Sequence, residues 1–258
     1  MEESASFGRD HGLLHELVVT GRKVGADRVF YARLAHNEKL FGKVVSFVRD
    51  YSSTTQERAR EIMSKNFFGV EEAVKHFGVN PTRQQLAVLS EIPFSEAVLE
   101  ESKYTHVLVA VFPLSILEIR DKVKHIELPS GQPLLSAQSW YDEESFAKER
   151  GEVTWQLVRK TPVDDSTSKN WQEQQALIAK NDEVPSARVM VYTIVGHYLA
   201  TGEHLFEHIY VRTSSVGSDG RCVDVGGFGS DGLFVDDDWV GAPGGGLGVS
   251  SARKPAWR

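Results

Sequence analysis

An α+β fold is predicted by three features of the 258-residue sequence. Up to about residue 103, apolar side chains recur at helical three- and four-residue spacing. Two apolar, β-branched runs, "THVLVAVFP" and "LFEHIYVRTSS", have the length and composition of strands. Beyond them the chain breaks into short strand-like pieces separated by glycine, and eleven of its 22 glycines fall between Gly217 and Gly248. Helices in the middle with strands at both ends place the two terminal strands in one layer.

In chain order, "LLHELV" and "DRVFYARLAHNEKLFGKVVSFVRDY" read as helix, with Phe30, Leu34, Leu40, Phe41, Val44, Val45 and Val48 on the apolar side. "TQERAREIMSKNFFGVEEAVKHFG" reads as a further helical stretch capped by Gly78. "NPTRQQLAVL" offers Asn80 as N-cap and Pro81 at the first helical position. These segments make residues 1–103 a helical N-terminal region, a packing or homo-oligomerisation module. From residue 104 a second domain, 104–258, is expected. It opens with the strand closed by Pro113, followed by a helix in "LSILEIRDKV". "DEESFAKERGEVTWQLVRKTPV" reads as a short helix stopped at Gly151 and then a strand. "WQEQQALIAKN" and "VPSARVMVYTIVGHYLATG" are helices, the latter with Pro185 at its start and Gly202 past its end. The opening "HVLVAVF" and the closing "LGVSSAR" are expected to pair and close the domain.

Composition bounds the function. A formal net charge of −7 opposes a nucleic-acid surface, which needs a basic footprint to replace counterions. No apolar run has the length of a membrane span, and the polar opening "MEESASFGRDHG" is not a signal peptide, so a cytoplasmic protein without membrane insertion is expected. The single Cys222 has no intrachain partner for a disulfide.

The motif candidates are each weak on context. "GGFGSDGLF", Gly226 to Phe234, matches the calcium-roll nonapeptide, but such a site needs stacked repeats and the flanking nonapeptides break the pattern. A calcium ion held by Asp236, Asp237 and Asp238 has no further support. "HLFEH", His204 to His208, matches the inverted zincin pattern, which requires a helix; Gly202 has just ended one. The glycines of "GAPGGGLG" lack the Gly-Lys-Ser/Thr ending of a phosphate loop. Ser250-Ser251 has no nucleophile-elbow glycines. Cys222 follows Arg221, which would lower its pKa, yet no histidine partner is assignable. No catalytic residue, metal or cofactor is assigned.

One compositional gap stands out. Between Cys222 and Ala252 there is no Lys, Glu, Gln or Met, although these types make up 47 of the 258 residues. About five or six would fall in such a stretch under uniform usage. Turn chemistry favouring Asp and Gly accounts for part of the gap; restricted codon usage accounts for it more fully.

At this point "EVPSARVMVYTIVGHYLATGEHLFEHIYVRTSS", "GRCVDVGGFG", "GLFV", Trp239 and "LGVSSARK" together resemble the variable proteins of diversity-generating retroelements. The resemblance covers about residues 104–254. It implies a C-type lectin-like fold of the formylglycine-generating-enzyme type, preceded here by the helical N-terminal region. It also implies a variable segment, about 222–252, diversified by adenine-specific mutagenesis of chiefly Asn codons. The products of such codons exclude Lys, Glu, Gln, Met and Trp. The implied ligand-binding positions are Phe234, Asp236, Asp237, Asp238, Val240, Ala242, Pro243, Gly244, Gly245 and Gly246. The implied scaffold anchors are Trp239, Leu247, Gly248 and Arg253, with Leu233 and Val249 also buried and Arg253 paired to a core acid. The ligand is expected to be a protein or cell-surface molecule. Two alternatives stay open: a calcium-binding glycine-rich module, and a metal enzyme of the same fold. The copper enzymes of that fold use two cysteines, and only Cys222 is present. The iron enzymes use three histidines, for which His197, His204 and His208 are the candidates.

Overall fold

The segment that organises the fold is "PSARVMVYTIVGHYLATG". Ser186 caps it by accepting from Val189 N, and Gly202, at φ 74°, ends it by donating to Tyr198 O. A left-handed residue at that point satisfies a carbonyl the helix leaves open. All eleven residues from Ala187 to His197 are buried. A helix apolar on every side belongs in the interior, and sheets and shorter helices surround this one.

The structure is a computed structural model and describes residues 14, 15, 17–50 and 53–255. It divides into two compact units, Met1–Asp50 and Tyr51–Arg258. The first contains a helical run at 17–23, then α1 (Arg28–Ala35) and α2 (Glu38–Asp50). Asp27 caps α1 and Asn37 accepts from Leu40 N at the start of α2, so the expected single helix is two. Leu14, Leu17, Val29, Phe30, Leu40 and Phe41 stay exposed.

The second unit holds α3 (Gln56–Met63), α4 (Val70–Phe77), α5 (Arg83–Val88), α6 (Glu96–Ser102), α7 (Ile116–Val123), α8 (Ser145–Lys148), α9 (Trp171–Ala176) and the central α10 (Ala187–Thr201). Its strands are β1 (Thr54–Thr55), β2 (Phe67–Phe68), β3 (Glu91–Ile92), β4 (His106–Val111), β5 (Thr154–Arg159), β6 (Asp182–Glu183), β7 (Tyr210–Val216), β8 (Cys222–Gly229), β9 (Gly232–Asp238), β10 (Leu247–Val249) and β11 (Ala252–Arg253). They form a pair β1-β3, a five-stranded sheet β2-β4-β5-β11-β6 and a four-stranded sheet β10-β7-β8-β9. The α+β class holds.

Three expectations are corrected. The unit begins at residue 51, not 104, because Phe67 and Phe68 leave the helical pattern as β2 and pair in parallel with Leu108 and Val109 of β4. Both rings are buried in the core, an apolar gain that outweighs continuing one helix from α3 into α4. The terminal strands share a sheet but do not pair. β5 lies between β4 and β11, and β10 belongs to the other sheet beside β7. Thr82, not Asn80, caps α5, in a reciprocal box with Gln85; the threonine hydroxyl reaches the third helical N–H as this motif requires.

Candidate functional site

Strand alternation sorts the four-stranded sheet into two faces. Val211, Val223, Val225 and Val235 point into the main core, in register Val211↔Val225↔Val235. The other face carries Tyr210 and Arg212 of β7, Cys222 and Asp224 of β8, Phe234, Asp236 and Asp238 of β9, and Leu247 and Val249 of β10. Cross-strand register sets Arg212 beside Asp224 and Asp224 beside Asp236. Leu247 and Val249 stand beside Tyr210 and Arg212.

Two glycine-bearing sites shape this face. A Cβ on Gly226 would fall 2.1 Å from Ile209 O, and one on Gly227, at φ 58°, 2.5 Å from the Tyr210 hydroxyl. The pair must be glycine for β7 to approach and for Tyr210 to lie across it. A Cβ on Gly248 would meet Pro162 and Ser166 at under 3 Å, where the 163–168 segment runs along β10. There Val163 N donates to Val249 O, and Ser166 Oγ accepts from Val249 N.

The segment from Trp239 to Gly246 is held almost wholly through its backbone. Arg212, fully buried, donates through Nη2 to Trp239 O (3.0 Å) and Ala242 O (2.7 Å). Through Nη1 it donates to Gln174 Oε1 (3.1 Å) and Lys169 O (3.3 Å). Trp171 N donates to Val240 O, Ser168 N to Gly244 O and Tyr210 N to Gly246 O. Buried Gln174 adds a donation to Leu247 O. Each of these bonds to residues 239–246 ends on a main-chain carbonyl, which every residue type possesses. Side chains here can change without unmaking the attachments.

None of the ten expected ligand-binding positions, Phe234, Asp236, Asp237, Asp238, Val240, Ala242, Pro243, Gly244, Gly245 and Gly246, is buried. Gly244, Gly245 and Gly246 have no positive φ, so side chains there meet no backbone strain; an added Cβ is crowded only at Gly244, by Leu247. Leu233, Leu247 and Val249 are buried as expected, and Arg253 pairs with Asp182 of β6 at 2.7 Å.

Trp239 is the exception among the anchors. Its side chain is 57% exposed, because it follows the last residue of β9, past the end of the sheet. The ring lies under the Arg221 guanidinium, 4.6 Å from its centroid, and Arg221 also bonds Asp237 at 3.1 Å. What anchors the position is its carbonyl, held by Arg212. Trp239→Ala is therefore expected to lower stability by only about 0.5–1 kcal/mol, the worth of an exposed cation–π contact. Urea unfolding of the variant checks this; a loss of several kcal/mol would restore a structural role for the indole.

The histidines do not converge. His197, buried in α10, bonds Glu203 at 3.3 Å. Against its own desolvation, Glu203 is held down at about 2 by Lys160, Lys65 and His197. His204 sits in a turn, its Nδ1 2.7 Å from Phe228 O and its ring against Tyr198 and Phe228. His208 is exposed on the same turn. Among the described residues, no three His, Cys, Asp or Glu side chains gather at metal-ligating spacing. Cys222 is buried, and burial pushes its thiol up, contrary to the lowering that the neighbouring Arg221 suggested. No described helix is long and apolar enough to cross a membrane.

Arg212, Gln174 and Asp224 are the site residues that sequence reasoning missed. The one signal for Arg212 is a cation inside the otherwise strand-like "IYVRTSS". Nothing local marks Gln174 or Asp224. Comparison of the chain with family models, with curated proteins and with solved structures returned no match.

Proposed function

We propose that this chain is a ligand-binding protein, not an enzyme. Its segment of about 222–252 is a replaceable contact surface on a C-type lectin-like scaffold, diversified by a retroelement. The observation that supports this reading most directly is the attachment of residues 239–246 through carbonyl oxygens to Arg212 and to the backbone of 168–171. A surface meant to vary needs a mounting indifferent to its side chains, with the varied groups facing solvent. The absence of Lys, Glu, Gln and Met from 222–252 supports the codon restriction that the diversifying mechanism imposes. The apolar side chains exposed on α1 and α2 suit self-association through the N-terminal region.

The test is a combined replacement of Val240, Ala242, Pro243, Gly245 and Gly246 by Ser, Tyr or Asn. Each change is expected to move stability by about 0.5 kcal/mol or less, so thermal unfolding should stay close to that of the parent. Collapse of the fold would refute a variable surface. In the genome, the reading requires a neighbouring reverse transcriptase and a near-copy of the 3′ coding segment differing at adenines; a complete genome lacking both would remove the diversification.

A further inference from the structure

Asp236 and Asp238 stand on one face of the edge strand β9, exposed and half-exposed. Acidic pairs of this kind are ordinary surface. What sets this one apart lies beneath it. Asp224, in register with Asp236, is only 4% exposed, yet its carboxyl has no hydrogen-bond partner or ion pair among the described residues. Its cross-strand neighbour Arg212 gives both Nη groups to Gln174 and three carbonyls, and its Nε makes no hydrogen bond to Asp224. A largely desolvated carboxyl without a protein partner is costly. Tyr210 and Phe234, in register with Gly226, border the same face with half-buried rings.

We infer that Asp224, Asp236 and Asp238, bordered by Tyr210 and Phe234, form an anchor for a lysine or arginine side chain presented by a partner protein. The inference rests on the ligand-binding reading above and names its ligand chemistry. Three carboxyls on one face supply the opposite charge. They do not gather closely enough for a metal ion's coordination sphere, whereas an ammonium or guanidinium spans a wider spacing through several N–H donors. Tyr210 lies near enough to Asp236 and Asp224 to feel their charges, and an aromatic ring at the border favours a cation further. Asp236 and Asp238 lie on the accessible edge strand of a face otherwise largely covered, which fits a side chain delivered by a folded surface.

A proton holds the place until the cation arrives. Burial pushes the Asp224 carboxyl up to about 8, with Asp236, Asp238 and Asp237 adding repulsion and Arg212 opposing it. Tyr210 on β7 and Cys222 on β8 are the other titratable groups on this face, and burial pushes both further up from ordinary values that already leave them neutral at pH 7. Lys169 and Glu173, on the segment that reaches Arg212, make no bond to Asp224. A seated cation favours the Asp224 carboxylate, so binding at pH 7 expels the proton.

The experiment uses the full chain and a short oligo-lysine peptide, with its Nε-acetylated counterpart and free methylguanidine as controls. Calorimetry at pH 7 is run in two buffers of different ionisation enthalpy. The expected result is binding of the lysine peptide alone, with release of up to one proton and an affinity that rises from pH 6 to 9. Asp236→Asn with Asp238→Asn should weaken binding at least tenfold. Asp224→Asn should abolish the proton release. The charge-matched pair Asp231→Asn with Glu207→Gln, on exposed residues elsewhere, should change neither. Equal weakening by that control pair would overturn the anchor, as would binding of the acetylated peptide, and so would proton release that survives Asp224→Asn. Methylguanidine binding as tightly as the peptide would overturn the protein source. If the lysine peptide fails to bind while the combined surface replacement still folds, the cation anchor falls and the variable-surface reading stands.

Discussion

Replacing Arg212 with alanine is expected to cost about 3–5 kcal/mol, the range for breaking a buried charged network by removing one partner. The guanidinium is fully buried and its removal orphans Gln174 Oε1 and the carbonyls of Lys169, Trp239 and Ala242. Loss should be local before it is global. Amide exchange at Ala242, Trp171 and Ser168, which donate to Trp239 O, Val240 O and Gly244 O, should accelerate first, while the β7–β8 amides stay protected. Arg212→Lys keeps the charge but not the fork of donors, and should recover only part of the stability. Urea unfolding and hydrogen exchange of the two variants measure this. A loss below about 1 kcal/mol with those amides still protected would show that the segment holds itself, and the case for a side-chain-indifferent mounting would lose its centre.

Asp224→Asn is expected to stabilise the protein, and more so as pH rises. The carboxyl in the folded chain ionises only near 8, while an unfolded aspartate ionises near its ordinary 3.8. Below about pH 4 both states hold the proton and the residue costs nothing through titration. Between about 4 and 8 the unfolded state gives up its proton and the folded state does not, so the wild type loses about 1.4 kcal/mol per pH unit. Asparagine resembles the neutral carboxyl and does not titrate. The two proteins should therefore match near pH 4, and the variant should be the more stable by roughly 5 kcal/mol near pH 8. Urea midpoints from pH 4 to 9 give the comparison. A gap that does not change with pH would mean that Asp224 is solvated and ionised in the folded protein. Such a cost to stability fits the contact role proposed for Asp224, since local rules of stability are most often broken at functional sites.

What the sequence determined by itself is mostly local. Gly78 and Gly202 end their helices as their sequence positions indicate, because C-capping depends on groups only a few residues away. Leu233, Leu247 and Val249 are buried as their β-branched or aliphatic character predicts. The ten positions that the resemblance implied as variable are all unburied in the structure. The exposure of Trp239 was not legible in the sequence, because tryptophan is usually interior: its place past the end of β9 turns the ring outward, and chain position in three dimensions outweighs hydrophobicity.

Only the tertiary structure decided the rest. Phe67 and Phe68 read as part of a helix until β4, some forty residues on, offers them a parallel partner (strand pairing is a long-range event that no local periodicity encodes). Arg212 reaches partners 27 to 43 residues away in the chain. Asp224 carries the same letter as Asp236 and Asp238, and nothing in "CVDVGG" sets it apart. Its neighbours across β7 and β9 do, by removing water from one carboxyl and leaving it to the other two. Composition revealed that the segment is acidic and small; which carboxylate holds a proton is a matter of desolvation, and desolvation exists only once the strands have come together.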